Sequence, residues 1–178
     1  GSLITPEVVL SAAHCGSDYP PELVVQVGAA FFGSRVDNSE QTVGFDSFVV
    51  HPDYVPLDSG GSFSGSYNWD DLGQNDVALL VLSEPVDVQP VWFRTEPLDD
   101  VAVGQTVTSV GFGVTSGSGS GSGIKRSAEL QIDVISDMFL ISYSSSNPND
   151  ANVCSGDSGG PQYHLSGDIW TQWSVHSW

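Results

Sequence analysis

The sequence predicts an all-β fold, a barrel or a sandwich built from short strands. Three observations carry that expectation. Runs of β-branched and aromatic residues recur along the chain, and turn-forming clusters separate them. No long stretch repeats its apolar residues with the 3.6-residue helical period, and there is no internal repeat. With 178 residues, 39% hydrophobic and 10% aromatic, the chain has enough apolar mass for one or two compact domains.

The elements follow in order. "LITPEVVLS", at the start, is an apolar run read as strand, and "SAAH" after it has room for one helical turn. "ELVVQVGAAFF" (22–32), "FDSFVVH" (45–51) and "DVALLVL" (76–82) read as strands on their β-branched and aromatic content. "QTVTSVGFGV" (105–114), "AELQIDVI" (128–135) and "IWTQWSV" (169–175) read the same way. Between them lie "YPPE", "VDNSE", "HPDY", "LDSGGS", "SEPV" and "SSSNPND", whose Pro, Gly, Asn and Asp residues make turns. "SGSGSGSG" (116–123) is flexible by composition, and the strands flanking it closely favour a long hairpin loop over an interdomain linker. The polar segment 58–74 has acids but no spacing of a known calcium loop, so it reads as a solvated surface loop. Both edges of the chain look cut through strands, the expectation for an internal piece of a longer protein.

Four Lys and Arg face 22 Asp and Glu, a formal charge of −18. Such a surface repels phosphates, which argues against a nucleic-acid partner, and attracts cationic groups at long range. No apolar run approaches the ~20 residues of a membrane helix. The sequence calls for neither a cofactor nor a metal.

The densest chemistry is "CSGDSGGPQ" (154–162). Glycines on both sides of Ser158 permit a turn that presents its hydroxyl outward and aims backbone N–H groups at one point. A serine hydroxyl is a weak nucleophile that needs a base, best a histidine, and the histidine needs a carboxylate to fix its tautomer. The chain offers four histidines. His14 in "LSAAHC" sits among small residues after an apolar strand, His51 precedes a proline at a strand end, His164 lies in a polar hairpin, and His176 is in the last strand. Asp76, in "GQNDVALLVL", stands where a polar turn becomes a buried strand. Each residue alone has an ordinary structural reading, and the combination is what points to nucleophilic catalysis.

"LITPEVVLSAAHC", "NDVALLVL" and "CSGDSGGP" resemble the histidine, aspartate and serine boxes of the trypsin/chymotrypsin-like serine peptidases, in that family's chain order. "HPDY", "SEPV" and "VGFGV" resemble further landmarks. The resemblance implies two antiparallel Greek-key β-barrels, residues 1–95 and 96–178, each incomplete at its terminus. It implies His14 as general base and acid, Asp76 as its orienting carboxylate, Ser158 as nucleophile, and the N–H groups of Gly156 and Ser158 as oxyanion hole. Asn152, Ser177 and Trp178 match substrate-binding positions. Neutral Asn152, at the base of the primary pocket, implies an uncharged or apolar residue before the scissile bond. Asp157 matches the partner of an activation-generated ammonium, and without that partner a zymogen-like or merely binding chain is the alternative. The resemblance further implies a secreted monomer acting on proteins or peptides, with Cys15 and Cys154 pairing cysteines outside these 178 residues. The scarcity of cysteines looks like a lean microbial member. Lys125–Arg126, beside the flexible loop, is an expected nicking site.

Overall fold

The computed structural model describes residues 1–56, 73–99, 102–116, 119–137, 139–143 and 152–177. Among them, eleven strands form two sheets. The first contains β1 (Ser2–Thr5), β2 (Val8–Ser11), β3 (Ala29–Phe32), β4 (Gln41–Val50) and β5 (Ala78–Leu82), in the order β1-β2-β5-β4-β3, every pair antiparallel. The second contains β6 (Trp92–Phe93), β7 (Thr106–Gly111), β8 (Arg126–Ile135), β9 (Leu140–Tyr143), β10 (Pro161–Ser166) and β11 (Ile169–Val175). Its order is β6-β11-β10-β7-β8-β9, antiparallel except for the β6–β11 pair. The all-β expectation holds, with two sheets as a two-barrel fold requires. Trp92–Phe93 lies before residue 96 in the chain and yet joins the second sheet.

Each sheet buries one face. Leu3, Val9, Val43, Leu82 and Val86 form the core of the first sheet, with Ala13, Phe48 and Ala78 as a second cluster beside it. Ala102, Val107, Leu130 and Ile132 form the core of the second. Along β8, Leu130 and Ile132 are buried while Glu129, Gln131 and Asp133 are not, the period-2 alternation of a strand with one wet face. β7 and β8 pair antiparallel up to Gly111↔Arg126, so the described residues 112–116 and 119–125 belong to a hairpin connection, while residues 117–118 of "SGSGSGSG" lie outside the described residues. Arg126 opens β8, and the Lys125 amide donates to the Ser34 carbonyl at 2.9 Å. Cleavage between Lys125 and Arg126 would therefore require this backbone to unpair first.

One element departs from expectation. Residues 22–27, the first part of the run 22–32 read as strand, lie in the helix α1 (Pro21–Val27). Three valines gave the strand reading, but Pro21 at the first helical position supplies a preset φ and lacks only an N–H that the first turn would leave unpaired anyway. The Leu23 and Val24 amides both donate to the Pro20 carbonyl, and Val24 packs on Ala13, Phe48 and Ala78. Tertiary packing on one face of a seven-residue segment overrides its β-leaning composition.

Candidate active site

His14 sits in a single 3₁₀ turn, Ala13–Cys15, just past β2. Ala12 and Ala13 are fully buried, which is why the approach to His14 is built from the smallest side chains. Asp76 lies just before β5. The pairing Ser11↔Ala78 fixes the register between β2 and β5, so the end of one strand brings His14 beside the start of the other. Asn75 turns the chain into β5 with φ 52°, a conformation that Asn tolerates better than most residues.

The Asp76 carboxylate is the hub. Its Oδ1 accepts the His14 backbone N–H at 2.8 Å, and its Oδ2 lies 2.7 Å from His14 Nδ1. The Ser177 hydroxyl donates to the same Oδ2 at 2.6 Å. The Asp76 side chain is 5% exposed and that of His14 18%. Burial pushes the Asp76 carboxyl up, but the His14 ring, the Ser177 hydroxyl and the His14 amide together hold it below the ordinary carboxylate range. The bond to Asp76 raises His14 above the usual imidazole value, and the Cys15 thiol, 3.9 Å from Nε2, adds to this. His14 Nδ1 thus faces Asp76, and Nε2 is the nitrogen on the other side of the ring.

Ser158 arrives from the second sheet in the turn leading into β10. Its hydroxyl donates to the Ser177 carbonyl at 3.3 Å, so Ser177 touches Asp76 with its side chain and Ser158 with its backbone. Gly159 packs directly on the histidine segment. A Cβ there would overlap Ser11 Oγ and lie 3.2 Å from Ala12 N and 3.3 Å from Cys15 Sγ. With φ 76°, residue 159 is glycine on both conformational and steric grounds.

The turn is tied by three amides. Asp157, Gly159 and Gly160 donate their N–H groups to the carbonyls of Cys154, His176 and Asp157. Among the described residues, the N–H groups of Gly156 and Ser158 have no such partner. Gly156 has φ 93°. The Asp157 carboxylate, matched by the resemblance to the partner of an activation-generated ammonium, accepts the Gly113 amide at 2.7 Å and the Cys154 amide at 2.8 Å. These two hydrogen bonds are the partners of a partly buried carboxylate. A Cβ on Gly111 would overlap this carboxylate, and one on Gly113 would lie 2.7 Å from it, which explains the glycines of "GFG".

Asn152 is exposed, and its Oδ1 accepts the adjacent Val153 amide at 2.8 Å. With Asp157 it lines a cavity of about 170 Å³. Trp178 lies outside the described residues. Cys15 and Cys154 are both free and exposed, so they do not bridge each other. His51 accepts the Asp53 amide at its strand end, and His164 stacks on Trp173 with ring centroids 3.9 Å apart. Two features escaped the sequence reading: the thiol beside His14 Nε2, and a buried His176 next to the Ser158 turn.

The family model for Trypsin matches residues 1–178. The chain belongs to the trypsin family. It is similar to brachyurin of Leptuca pugilator, 33% identical over 90% of this chain and 68% of that protein. It is 30% identical to trypsin I-P1 of Gallus gallus over 90% of this chain and 62% of the relative. Against CLIP domain-containing serine protease B10 of Anopheles gambiae it is 28% identical, spanning 90% of this chain and 49% of the relative. The chain thus spans about half to two thirds of the lengths of these trypsin-family relatives. All three are animal proteins, which gives the expected microbial character no support. No helix among the described residues is long and apolar enough to cross a membrane.

Proposed function

We propose that this chain carries the catalytic centre of a secreted serine endopeptidase that hydrolyses proteins or peptides through an acyl-enzyme. The supporting observation is the chain of contacts from His14 through Asp76 and Ser177 to Ser158. Ser158 Oγ attacks the peptide carbonyl carbon while its proton passes to His14 Nε2. Rotation of the hydroxyl away from the Ser177 carbonyl precedes this step. Asp76 holds His14 in the tautomer with hydrogen on Nδ1 and stabilises the imidazolium that forms. The unpartnered N–H groups of Gly156 and Ser158 receive the oxyanion, and one such donor is worth ~2.7–4 kcal/mol in the transition state. Collapse breaks the C–N bond, and the leaving amine takes the proton from His14. Water then attacks the acyl carbonyl, gives its proton to His14 and releases Ser158. Asp157 orders the oxyanion turn through its two amides. No cofactor or metal enters this scheme. The charge of −18 favours a soluble monomer that avoids nucleic acid and anionic membranes.

A second reading, a zymogen-like chain that only binds, draws on the Ser158 hydroxyl facing Ser177 instead of the imidazole. A serine-directed phosphonate separates the two. Stoichiometric labelling with casein hydrolysis, both lost in Ser158→Ala, is the result for an enzyme. An unlabelled but folded chain leaves only the binding reading.

A further inference from the structure

The Asp76 carboxylate stands where a tight backbone turn puts it, and residues outside the His14–Asp76–Ser177–Ser158 contacts hold that turn. The Val77 amide donates to the Asn75 carbonyl at 2.7 Å, so Asp76 is the middle residue of a three-residue turn. Asn75 enters the turn with φ 52°, the one positive φ of a non-glycine among the described residues. Such a conformation is costly for an L side chain and persists where its surroundings enforce it.

The enforcing surroundings are residues 51–55, which run alongside. The His51 amide donates to the Val77 carbonyl at 2.9 Å. Val55 and Gln74 exchange backbone bonds, the Val55 amide donating at 2.9 Å and the Gln74 amide at 2.8 Å. These ties lie on either side of Asp76. Between them the Asn75 side chain spans the gap, its Nδ2 donating to the Asp53 carbonyl at 2.9 Å. Asp53 is braced from its own side, because its amide donates to His51 Nδ1 at 3.2 Å. The next residue, Tyr54, donates its amide to the His51 carbonyl at 3.0 Å and packs on the cluster of Ala13, Phe48 and Ala78. Ala13 precedes His14, so the support of Asp76 rests on the same core as the histidine it must meet.

We propose, on the peptidase reading of Ser158, that Asn75 is a positioning residue for the reaction. Its carboxamide holds the Asp76 turn so that one carboxylate takes the His14 amide on Oδ1, and the His14 ring and the Ser177 hydroxyl on Oδ2. These three contacts measure 2.8, 2.7 and 2.6 Å. A displacement of ~0.5 Å therefore carries them to or past the edge of good hydrogen-bond geometry. Asn75 acts through Asp76 and touches neither substrate nor the reacting atoms. Asparagine meets two demands at once here. Glycine accepts the conformation but has no donor. Aspartate tolerates it, but its carboxylate only accepts, so it would oppose the Asp53 carbonyl and add like charge beside Asp76.

Two variants of the full chain separate this from a merely structural role. Asn75→Gly keeps the conformation and removes the donor, and Asn75→Asp sets an acceptor against an acceptor. For Asn75→Gly, kcat is expected to fall about two- to tenfold, the worth of one hydrogen bond, with KM within about twofold. For Asn75→Asp the fall in kcat should be larger. An unchanged kcat in either variant, a loss confined to KM, or an Asp variant more active than the Gly variant overturns the proposal. A second measurement needs no turnover. In Ser158→Ala, the His14 Nδ1–H and ¹⁵N resonances report the bond to Asp76 Oδ2 directly. Adding Asn75→Gly should move the proton upfield and speed its exchange with solvent. A resonance that moves in a chain hydrolysing nothing leaves the positioning of Asp76 standing and sinks only the peptidase reading. Resonances unchanged by Asn75→Gly, whatever happens to Tm, mean that the backbone ties hold the turn unaided, and the proposal fails.

Discussion

Adding one methyl group at Gly159 tests whether the two sheets meet at the site as described. In Gly159→Ala the residue must hold φ 76°, which costs an L side chain about 1–2 kcal/mol. Its Cβ overlaps Ser11 Oγ and crowds Ala12 N at 3.2 Å, where backbone cannot swing aside. Carbon contacts normally lie near ~3.5–4.0 Å, and forced overpacking costs about 1–3 kcal/mol more. The sum, about 2–5 kcal/mol, corresponds to a fall in Tm of roughly 4–20 °C for a chain this size. Gly167→Ala is the control. It has φ 60° with nothing within 4 Å of its Cβ, so it bears the conformational cost alone, about 2–8 °C. Differential scanning fluorimetry on both variants, and on Gly159→Ala combined with Ser11→Gly, gives the comparison. Removing Ser11 Oγ should recover part of the Gly159→Ala loss and nothing at Gly167. Equal losses at 159 and 167, or no recovery, would mean that the Ser158 turn does not rest on the histidine segment.

Other outcomes follow from the hub. His14 is raised by Asp76, so the acid limb of kcat/KM should have its midpoint above the ordinary ~6.5 of imidazole, with activity appearing as pH rises through it. Asp76→Asn should move that midpoint down and cut turnover; an unmoved limb would show that His14 is not the titrating base. Ser177→Ala removes one charge-assisted bond to Asp76, about 1.5–3 kcal/mol, and should reduce kcat by tenfold or more without abolishing it. Asp157→Ala removes the acceptor of the Gly113 and Cys154 amides and should slow phosphonate labelling in a still-folded chain. For stability, the depressed Asp76 contributes above its unfolded pKa and loses that contribution as pH falls through the lower folded value. The raised His14 contributes fully below its unfolded pKa and loses that as pH rises through the higher folded value. Denaturant midpoints should therefore show the His14–Asp76 contribution largest on the mildly acid side of neutrality.

What was legible in the sequence was whatever a local segment decides by itself. The glycines around Ser158, the small residues before His14 and the apolar run after Asp76 are each set by the backbone geometry of one turn or one strand. The strand runs were readable for the same reason, because side-chain alternation is local. Residues 22–27 form a helix where the sequence reads strand because a neighbour decides it: Val24 packs on Phe48, a residue of β4. The two-residue strand β6 exists only through its pairing with β11, so nothing in "VWF" announces it. The partners of Asp157 were hidden likewise, since Gly113 stands 44 residues away and contributes an amide, not a side chain. His176 looked like an ordinary strand residue, because the burial of its Nε2 without a partner among the described residues is a property of the surroundings.

The same distinction explains how three chemically unremarkable residues can be held to one geometry. Two sheets touching at a single point could still pivot, and the His14–Ser158 separation would vary with the pivot. Here the sheets are tied at separate places. Gly159 rests on Ser11–Cys15, and the Ser2 hydroxyl donates to Gln172 Oε1 at 2.5 Å while the Val91 amide donates to the Leu3 carbonyl at 2.9 Å. Farther out, the Val36 amide donates to the Gly123 carbonyl and the Lys125 amide to the Ser34 carbonyl, both at 2.9 Å. That last tie belongs to the same connection, 112–125, whose Gly113 amide holds Asp157. The connection that meets the first sheet's Ser34 and Val36 thus also meets the Ser158 turn, through the Asp157 carboxylate. Three of the four cationic residues, Arg35, Lys125 and Arg126, cluster there. Val36→Pro removes one of these donors without touching any group that contacts substrate. It should lower the phosphonate labelling rate more than it lowers Tm, and the opposite pattern would show the tie to be purely structural.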